Sequence, residues 1–486
     1  MPHVDFPQSS LRCGIARRDI TPPPGIYHRM WGAATHDRAT GVHRPLVATA
    51  MAIAPLPEPS STSASLRPQV LITLDHCLFW NDEMAALRSA VCRDVPLDED
   101  QLQIAFSHTH AAGLMDPKRH DLPGGDLVAP YLAALEQCVV AAAQESLRNL
   151  QPAHIVYGLG CCDLAQNRDL WDGPRQQFVC GFNPTGPHDN SVLVARITGS
   201  ENRTIATLVN YACHPTTLAW DNTLVSPDYV GAMREQIEAV SGAPCIFVQG
   251  ASGDLGPREG FVGDVAVADR NGRALGYAAL AALELMPPPL VRFEYIGAVI
   301  SGATIGTWDY RALTADQILE TEHWQTRRLA IELAIRTDLE SSEITAAHLT
   351  RWQHDESAAT DAGDHARARD CRAQIERMTR QLSRLAALPP GDRVTLHATL
   401  WQLGTALWLF VEGEHYQLLQ RELRARFSDC PIVVATMTNG WNPGYLPPAE
   451  IYGTGIYQET VAVVAAGSLE KVIQRIGDEI EHMREG

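Results

Sequence analysis

Residues 102–113 have the sequence LQIAFSHTHAAG, in which a run of strand length ends in a polar loop that carries His108 and His110. The same arrangement recurs along the chain, for example in QVLITLDH, RTIATLVNYACH and APCIFVQGASGD. Segments with apolar residues at helical spacing, such as residues 130–150, lie between several of these runs. The alternation predicts an α/β fold with a large mixed β-sheet core and flanking helices.

Residues 314–388 have a different composition, rich in Ala, Arg, Glu, Gln and Leu. Apolar residues at helical spacing, such as Ile318, Leu329 and Leu333, predict a long helical hairpin inserted into the chain. Residues 1–313 and 389–486 would then form one domain. The hairpin would serve either as a packing or oligomerisation arm, giving a homo-oligomer, or as a lid. The Pro- and Ser-rich residues 56–69 are predicted to form a surface loop.

The charge and apolar content of the chain exclude several classes of partner. Lys and Arg number 39 against 57 Asp and Glu, a formal net charge of -18 that disfavours nucleic acid and anionic lipid. No apolar run approaches the ~20 residues of a membrane span, and the first residues lack the apolar core of a secretory signal. The eleven cysteines show no paired spacing. We therefore predict a cytoplasmic protein without a nucleic-acid partner or stable membrane insertion.

Polar side chains that could bind a metal follow several of the apolar runs. Imidazole nitrogen and carboxylate or phenolate oxygen are ligands of a borderline divalent cation such as zinc. Two histidines and a carboxylate with an open position are typical of hydrolytic sites, where the metal lowers the pKa of water toward ~7. No compact signature such as H-E-x-x-H is present. The candidate residues in these loops are His108, His110, His214, Glu412, Glu414, Tyr445 and Tyr457.

The order of these motifs resembles the neutral/alkaline non-lysosomal ceramidase family. The chain has ARRDITPP at residues 16–23, GVHRPL at 41–46 and SHTH at 107–110, followed by HPT, GDLGP and GE. The resemblance covers nearly the whole chain up to about Tyr457, apart from the helical insertion. It implies a catalytic domain that contains zinc and hydrolyses an amide bond.

The resemblance implies a role for each matching residue. It makes His108, His214, Glu414 and Tyr445 the zinc ligands, and Glu412, two residues earlier, remains the alternative to Glu414. His110 would face the substrate as a proton donor or carbonyl partner. Arg168 and Tyr457 would bind substrate; Tyr457 follows Tyr445 by the family's interval of twelve positions.

Three further residues are candidates from their place in the sequence. Asp254, in the turn GASGDLGP, would orient a ligand or the attacking water, or would simply form the turn. Asp75 and His76 end a strand and could lie behind the ligands, where a carboxylate would fix an imidazole tautomer.

The chain departs from the family at positions that bear on the substrate. Gly256 occupies the place of the family's serine, which is treated as essential for ceramide hydrolysis, and Trp441 replaces the first tyrosine of N-x-Y-x-x-Y. The protein is also expected to lack the family's immunoglobulin-like C-terminal domain and its secretion signal. We therefore predict a zinc-dependent hydrolase that cleaves an amide, or an ester, in a small polar substrate. The alternatives are a metal-dependent hydrolase or lyase acting on a sugar-derived or cyclic substrate, and a non-catalytic binding or scaffold protein.

Overall fold

The first of two large sheets has eight strands and mixed direction. The computed structural model describes residues 1–57 and 67–485, so the centre of the predicted loop at residues 56–69 lies outside the described residues. The outermost pair at each edge of the sheet is parallel and the inner pairs are antiparallel. The strand order is Cys245–Gln249, Thr204–Tyr211, Ser191–Thr198, Gln151–Cys161, Gln8–Asp19, Val47–Ala54, Gln69–Leu74 and Leu102–Phe106. The predicted α/β class with a mixed sheet is confirmed.

A second sheet of four strands packs face to face against the first. Its order is Trp324–Ala334, Arg393–Leu403, Ala406–Val411 and Ile432–Ala435. Alternate residues along the strands face opposite sides. Trp401 and Trp408 of the second sheet therefore pack against residues such as Leu208 of the first, while Leu400 faces the opposite way.

Helices cover the outer face of each sheet, so the molecule has four layers. The α-helices of the described residues are α1 Asn81–Asp94, α2 Val128–Arg148, α3 Tyr229–Ser241, α4 Val265–Glu284, α5 Ala315–Thr321, α6 Ser342–Asp361, α7 His365–Ala386, α8 Leu418–Arg426, α9 Tyr457–Val461 and α10 Ser468–Glu485. Helices α1 to α4 pack on the eight-stranded sheet, and α8 and α10 pack on the four-stranded one.

Short strand pairs outside the two large sheets fix the loops around their ends. A three-stranded ribbon is formed by His3–Val4, Val291–Ile300 and Thr304–Ala312. The two-stranded pairs are Gly41–Val42 with Leu224–Val225, Ala165–Asn167 with Leu255–Pro257, Asp169–Asp172 with Gln177–Cys180, and Glu414–His415 with Tyr445–Leu446.

One helical segment of the described residues, Gly125–Arg148, is long and apolar enough to cross a membrane by length and composition. It contains α2, whose buried residues Leu135, Val139 and Ala142 belong to the core beneath the eight-stranded sheet. Packing against a sheet accounts for its apolar composition.

The predicted helical insertion begins too early in the sequence. Residues 314–388 contain the short helix α5, then the strand Trp324–Ala334, and only then the hairpin of α6 and α7. Leu329 and Leu333 were assigned to a helix because a spacing of four residues satisfies both the helical and the strand period. In the structure Leu329, Ile331 and Leu333 are all buried and alternate with exposed residues, which is the pattern of a strand and not of a helix.

Buried His76 makes the stability of the fold sensitive to acid. Its Nε2 lies 2.6 Å from the Tyr131 hydroxyl oxygen, and its Nδ1 has no hydrogen-bond partner among the described residues. Burial lowers the pKa of His76 to about 4. The unfolded chain binds a proton near pH 6.5, so the folded state loses stability as the pH falls from 6.5 to 4, by up to about 1.4 kcal/mol per pH unit.

We expect His76→Gln to flatten this dependence. Urea unfolding between pH 7 and 4 measures the free energy of unfolding of the wild type and of the variant. The difference between these two free energies should narrow as the pH falls. His354→Gln, on the exposed surface of α6, is the matched control. Parallel pH profiles for the wild type and His76→Gln would contradict this assignment.

Candidate metal centre

Three buried side chains converge where strands of both large sheets end. His108 follows the strand Leu102–Phe106, His214 follows Thr204–Tyr211, and Glu414 follows Ala406–Val411. The two Nε2 atoms of His108 and His214 are 3.1 Å apart. Glu414 Oε2 lies 3.2 Å from His214 Nε2 and 3.6 Å from His108 Nε2. The site therefore occupies the carboxyl ends of strands, the usual position of ligand sites in α/β sheets.

Backbone carbonyls hold both imidazoles in the tautomer that a metal ligand requires. His108 Nδ1 donates to the carbonyl oxygen of Cys77 at 2.8 Å, and His214 Nδ1 donates to that of Ser252 at 2.6 Å. With the proton on Nδ1, each ring can offer the lone pair of Nε2 to a cation bound between the rings and Glu414. Burial opposes the charged form of His108, but Cys77 and Glu414 hold its pKa well above its usual range. Burial, together with Arg168, lowers the pKa of His214 to about 3, so this ring is neutral at pH 7.

The local backbone explains how the loops reach this point. His108 has a φ of 66° and its N–H donates to the His76 carbonyl oxygen, so the chain turns sharply after the strand. Gly413 has a φ of 83°, and a Cβ there would lie 2.9 Å from Leu446 Cδ1. Only glycine permits this conformation and this close approach, and it turns Glu414 toward the histidines.

The structure distinguishes the two candidate glutamates. Glu412 Oε2 accepts hydrogen bonds from His397 N at 2.8 Å and from His397 Nδ1 at 3.2 Å, away from the centre. Glu414 Oε1 instead accepts a hydrogen bond from Trp441 Nε1. Burial favours the protonated acid, but His108 and His214 hold the pKa of Glu414 well below its usual range. Trp441, noted in the sequence only as a departure from the family, therefore positions this carboxylate.

The donor set fits a zinc ion. Three candidate ligand atoms, from His108, His214 and Glu414, lie within 4.8 Å of one another. Ligand atoms about 2.0–2.1 Å from zinc stand about 3.3 Å apart in a tetrahedron, close to the separations found here. The Tyr445 hydroxyl oxygen lies 3.4 Å from His214 Nε2, in reach of the same cation. Two imidazole Nε2 atoms and a carboxylate this close together are an arrangement that a divalent cation stabilises, because the cation can replace a proton shared among them.

The predicted substrate-facing residues lie beside these donors. His110 Nε2 is 3.4 Å from His108 Nε2, and its ring lies near that of Trp31. Burial and the neighbouring His108 and His214 hold the pKa of His110 well below its usual range. Tyr457 begins α9 with its ring edge against that of Tyr445 and is 49% exposed.

Arg168 and Asp254 meet at one wall of the site but have different surroundings. Arg168 NH2 donates to the Tyr445 hydroxyl oxygen at 3.0 Å and to the Gly253 carbonyl oxygen at 2.7 Å. The Asp254 carboxylate accepts hydrogen bonds from Gln417 N at 2.8 Å and Gln417 Nε2 at 2.7 Å. Burial raises the pKa of Asp254 to about 6. Its side chain therefore braces the loop after Glu414, and its predicted role toward a ligand or water stays a prediction.

The other residues singled out in the sequence lie outside the ring of donors. Arg234 forms a bidentate ion pair with Asp75, in which each carboxylate oxygen lies 2.9 Å from a guanidinium nitrogen. His76 contacts Tyr131. Backbone carbonyls, rather than Asp75, thus fix the imidazole tautomers, and residue types alone carry no signal for such partners. A Cβ at Gly256 would meet nothing closer than 3.8 Å, so the missing side chain leaves space beside Arg168.

A pocket of about 380 Å³ opens in front of the donors. His110, Arg168, Tyr445 and Tyr457 line its inner end. Residues of α7 form part of the pocket wall, and Ala373 of this helix packs so closely on Gly32 that a Cβ on Gly32 would lie 3.0 Å from the Ala373 Cα. The hairpin thus contributes to the pocket through α7, and its roles as a lid or as an oligomerisation arm both stay predictions.

Comparisons with known proteins identify the architecture. No protein-family model matches the chain, and no curated protein matches it in sequence. The neutral ceramidase from Pseudomonas aeruginosa aligns with a TM-score of 0.62 and 16% identity, over 97% of this chain and 74% of that one. A structure of "Ceramidase complexed with C2" aligns with a TM-score of 0.64 and 15% identity, over 99% and 76%. The chain therefore has the fold of the neutral ceramidases.

Proposed function

We propose that the chain is a zinc-dependent hydrolase that cleaves an amide bond, or an ester bond, in a small polar molecule. The observation that carries this proposal is the convergence of His108, His214 and Glu414, with both Nδ1 protons committed to backbone carbonyls. A decayed or purely structural site would have no need to bring two imidazole Nε2 atoms and an ionised carboxylate this close together. The likeness in fold to ceramidases supports the same chemistry.

In this proposal His108, His214, Glu414 and Tyr445 hold the zinc ion. When bound, zinc polarises a carbonyl group and lowers the pKa of water, the chemistry that hydrolysis needs at neutral pH. The carbonyls of Cys77 and Ser252 keep the two imidazoles in the required tautomer. Trp441 holds Glu414 in place, and Arg168 donates to the Tyr445 hydroxyl and so favours negative charge on that oxygen.

The residues at the mouth of the centre act on the substrate. His110 is neutral at pH 7, because burial and two neighbouring imidazoles lower its pKa, and it can therefore exchange a proton at Nε2. The Tyr457 hydroxyl can donate a hydrogen bond to the oxygen on which negative charge develops, or a proton to the leaving group. Arg168 and Tyr457 orient the substrate against this end of the pocket.

Two features favour a small polar substrate over ceramide. Gly256 has no side chain where the resemblance places a serine hydroxyl. Arginines of α7 also line the pocket, where a long alkyl chain would leave their charges without solvent or a partner. A cytoplasmic location is part of this proposal, and the eleven cysteines, all unpaired, are compatible with a reducing compartment.

Elemental analysis of protein purified without chelator tests the metal centre. We expect about one zinc per chain in the wild type and almost none in His214→Ala, because loss of one of three closely spaced donors removes most of the affinity. His397→Ala, which changes a histidine bonded to Glu412 outside the centre, should keep its zinc.

Zinc that is absent from the wild type, or bound equally by His214→Ala, would contradict the proposal. If the centre holds zinc, a substrate screen follows that compares short N-acyl amides, the matching esters, and cyclic and sugar-derived compounds. Turnover confined to the cyclic or sugar-derived compounds would replace the amide bond by another bond type at the same metal centre.

A further inference from the structure

Helix α7 presents a row of arginines to the pocket. Arg377, Arg380 and Arg384 are spaced by three and four residues, which places them on one face of the helix, and all three line the pocket together with His110 and Tyr457. Arg168 lines the inner end of the same pocket. This face belongs to the inserted hairpin and not to the loops that carry the candidate zinc ligands.

Two of these arginines have no acidic partner. Arg384 is buried, and its side-chain hydrogen bonds run to Gln381 Oε1 on the same helix. Arg377 is exposed at the pocket mouth. Within residues 1–57 and 67–485, neither guanidinium forms an ion pair with a carboxylate.

Among the described residues that line the pocket, the acidic one, Glu376, is already bound by other groups. Glu376 Oε2 lies 2.9 Å from Arg119 NH1 but 3.9 Å from Arg380 NH2, and its Oε1 accepts from the Tyr27 hydroxyl. Arg380 donates to the Met30 carbonyl oxygen, while its buried Nε has no hydrogen-bond partner among the described residues. Positive charge is thus in excess on this wall.

This local excess of positive charge contrasts with the negative net charge of the whole chain. The formal net charge is -18, so carboxylates are plentiful, yet none within the described residues neutralises Arg384 in a partly desolvated pocket. Burial, with Arg380 and Arg377 nearby, lowers the pKa of Arg384 to about 10, which still leaves it charged at pH 7. A buried guanidinium is costly unless it meets an anion, and its planar fork matches carboxylate and phosphate.

We propose that the pocket binds a substrate with an anionic end, a carboxylate or a phosphate, held by Arg384 and Arg377 while the scissile bond faces His108, His214 and Glu414. The apolar part of such a molecule would lie along Trp31, Trp220 and Phe261, which also line the pocket and pack on one another. The substrate class is then an N-acyl amino acid or a similarly charged amide. That the bound molecule is a substrate rests on the proposed function, whereas the binding of an anion at this site does not.

Binding of a compound that cannot be hydrolysed tests the anion site directly. The probe is the ketone isostere of N-heptanoylglycine, in which a methylene group replaces the amide nitrogen, and its neutral comparison is the corresponding carboxamide. Isothermal titration calorimetry on the protein as purified should show the carboxylate binding at least about tenfold more tightly than the carboxamide, the effect of a charge-assisted hydrogen bond. A phosphonate with the same chain shows which anion is preferred.

Matched variants of α7 locate the site. Arg377→Gln and Arg384→Met should each reduce the preference for the anion by about tenfold or more and leave carboxamide binding within about twofold. Arg369→Gln changes an exposed arginine of the same helix that does not line the pocket, and it should keep the full preference. Since Arg377 is exposed, its variant keeps the test decisive even if Arg384→Met fails to fold.

The outcomes separate this inference from the proposed function. No preference for either anion in the wild type, or a preference that both variants retain, overturns the anion site even if zinc is present and amides are hydrolysed. A preference that the variants abolish, in a protein without zinc, would support the anion site and contradict only the hydrolase.

Discussion

Glu414→Gln will weaken zinc binding by about a thousandfold, and Glu412→Gln will change it by less than about threefold. Loss of the negative ligand removes several kcal/mol of interaction with the cation, and about 1.4 kcal/mol corresponds to each factor of ten. The Glu412 carboxylate contacts His397 and not the histidines of the centre, although it lies only two residues before Glu414 in the sequence. The two variants therefore make the same chemical change at different positions.

Competition with a chromophoric zinc chelator measures both affinities without a known substrate. Circular dichroism before and after zinc removal verifies that each variant is folded. Equal weakening in the two variants would show that the effect is a general loss of charge near the site. Stronger weakening in Glu412→Gln would reverse the assignment of the ligand.

Arg119→Met will destabilise the protein by about 3 kcal/mol or more, because it leaves the buried Glu376 carboxylate with poor compensation. Arg119 NH1 contacts both carboxylate oxygens of Glu376, at 3.1 and 2.9 Å, and the Tyr27 hydroxyl oxygen at 2.7 Å. The remaining arginines near Glu376, Arg372 and Arg380, stand at 3.9 Å. This ion pair fastens α7 to the loops that surround the pocket.

Urea unfolding and limited proteolysis report this effect. The variant should be cut between α6 and α7 at lower protease concentration than the wild type, since the hairpin loses its main polar attachment. Arg367→Gln breaks an exposed contact with Asp355 inside the hairpin, 3.5 Å long, and should cost less than about 1 kcal/mol. If Arg119→Met proves as stable as Arg367→Gln, the ion pair does not anchor the hairpin.

The sequence predicted the positions of the site loops well because each loop follows a strand. A run of apolar residues that ends abruptly in histidine or glutamate marks the end of a buried strand, and strand ends meet at one edge of a sheet. His108 and His214 could be found in this way. The choice between Glu412 and Glu414 could not, because it depends on the left-handed turn at Gly413.

Other features leave no periodic or compositional signal. The partners of His108 Nδ1 and His214 Nδ1 are backbone carbonyls, which every residue carries. The strand Trp324–Ala334 shares its spacing of apolar residues with a helix, and its pairing partner, Arg393–Leu403, is separated from it by the whole hairpin. The arginines of α7 resemble an ordinary solvated helix face until the fold places them over the pocket.

The three donors are far apart along the chain: His214 follows His108 by 106 positions, and Glu414 follows His214 by 200. During synthesis on the ribosome, the centre cannot assemble until most of the polypeptide has emerged, so a cation that needs all three donors would be acquired after translation. His108 and His214 extend from one sheet and Glu414 from the other. A bound ion would therefore join early and late parts of the chain, and metal scarcity in a cell would lower the persistence of the folded protein as well as its activity.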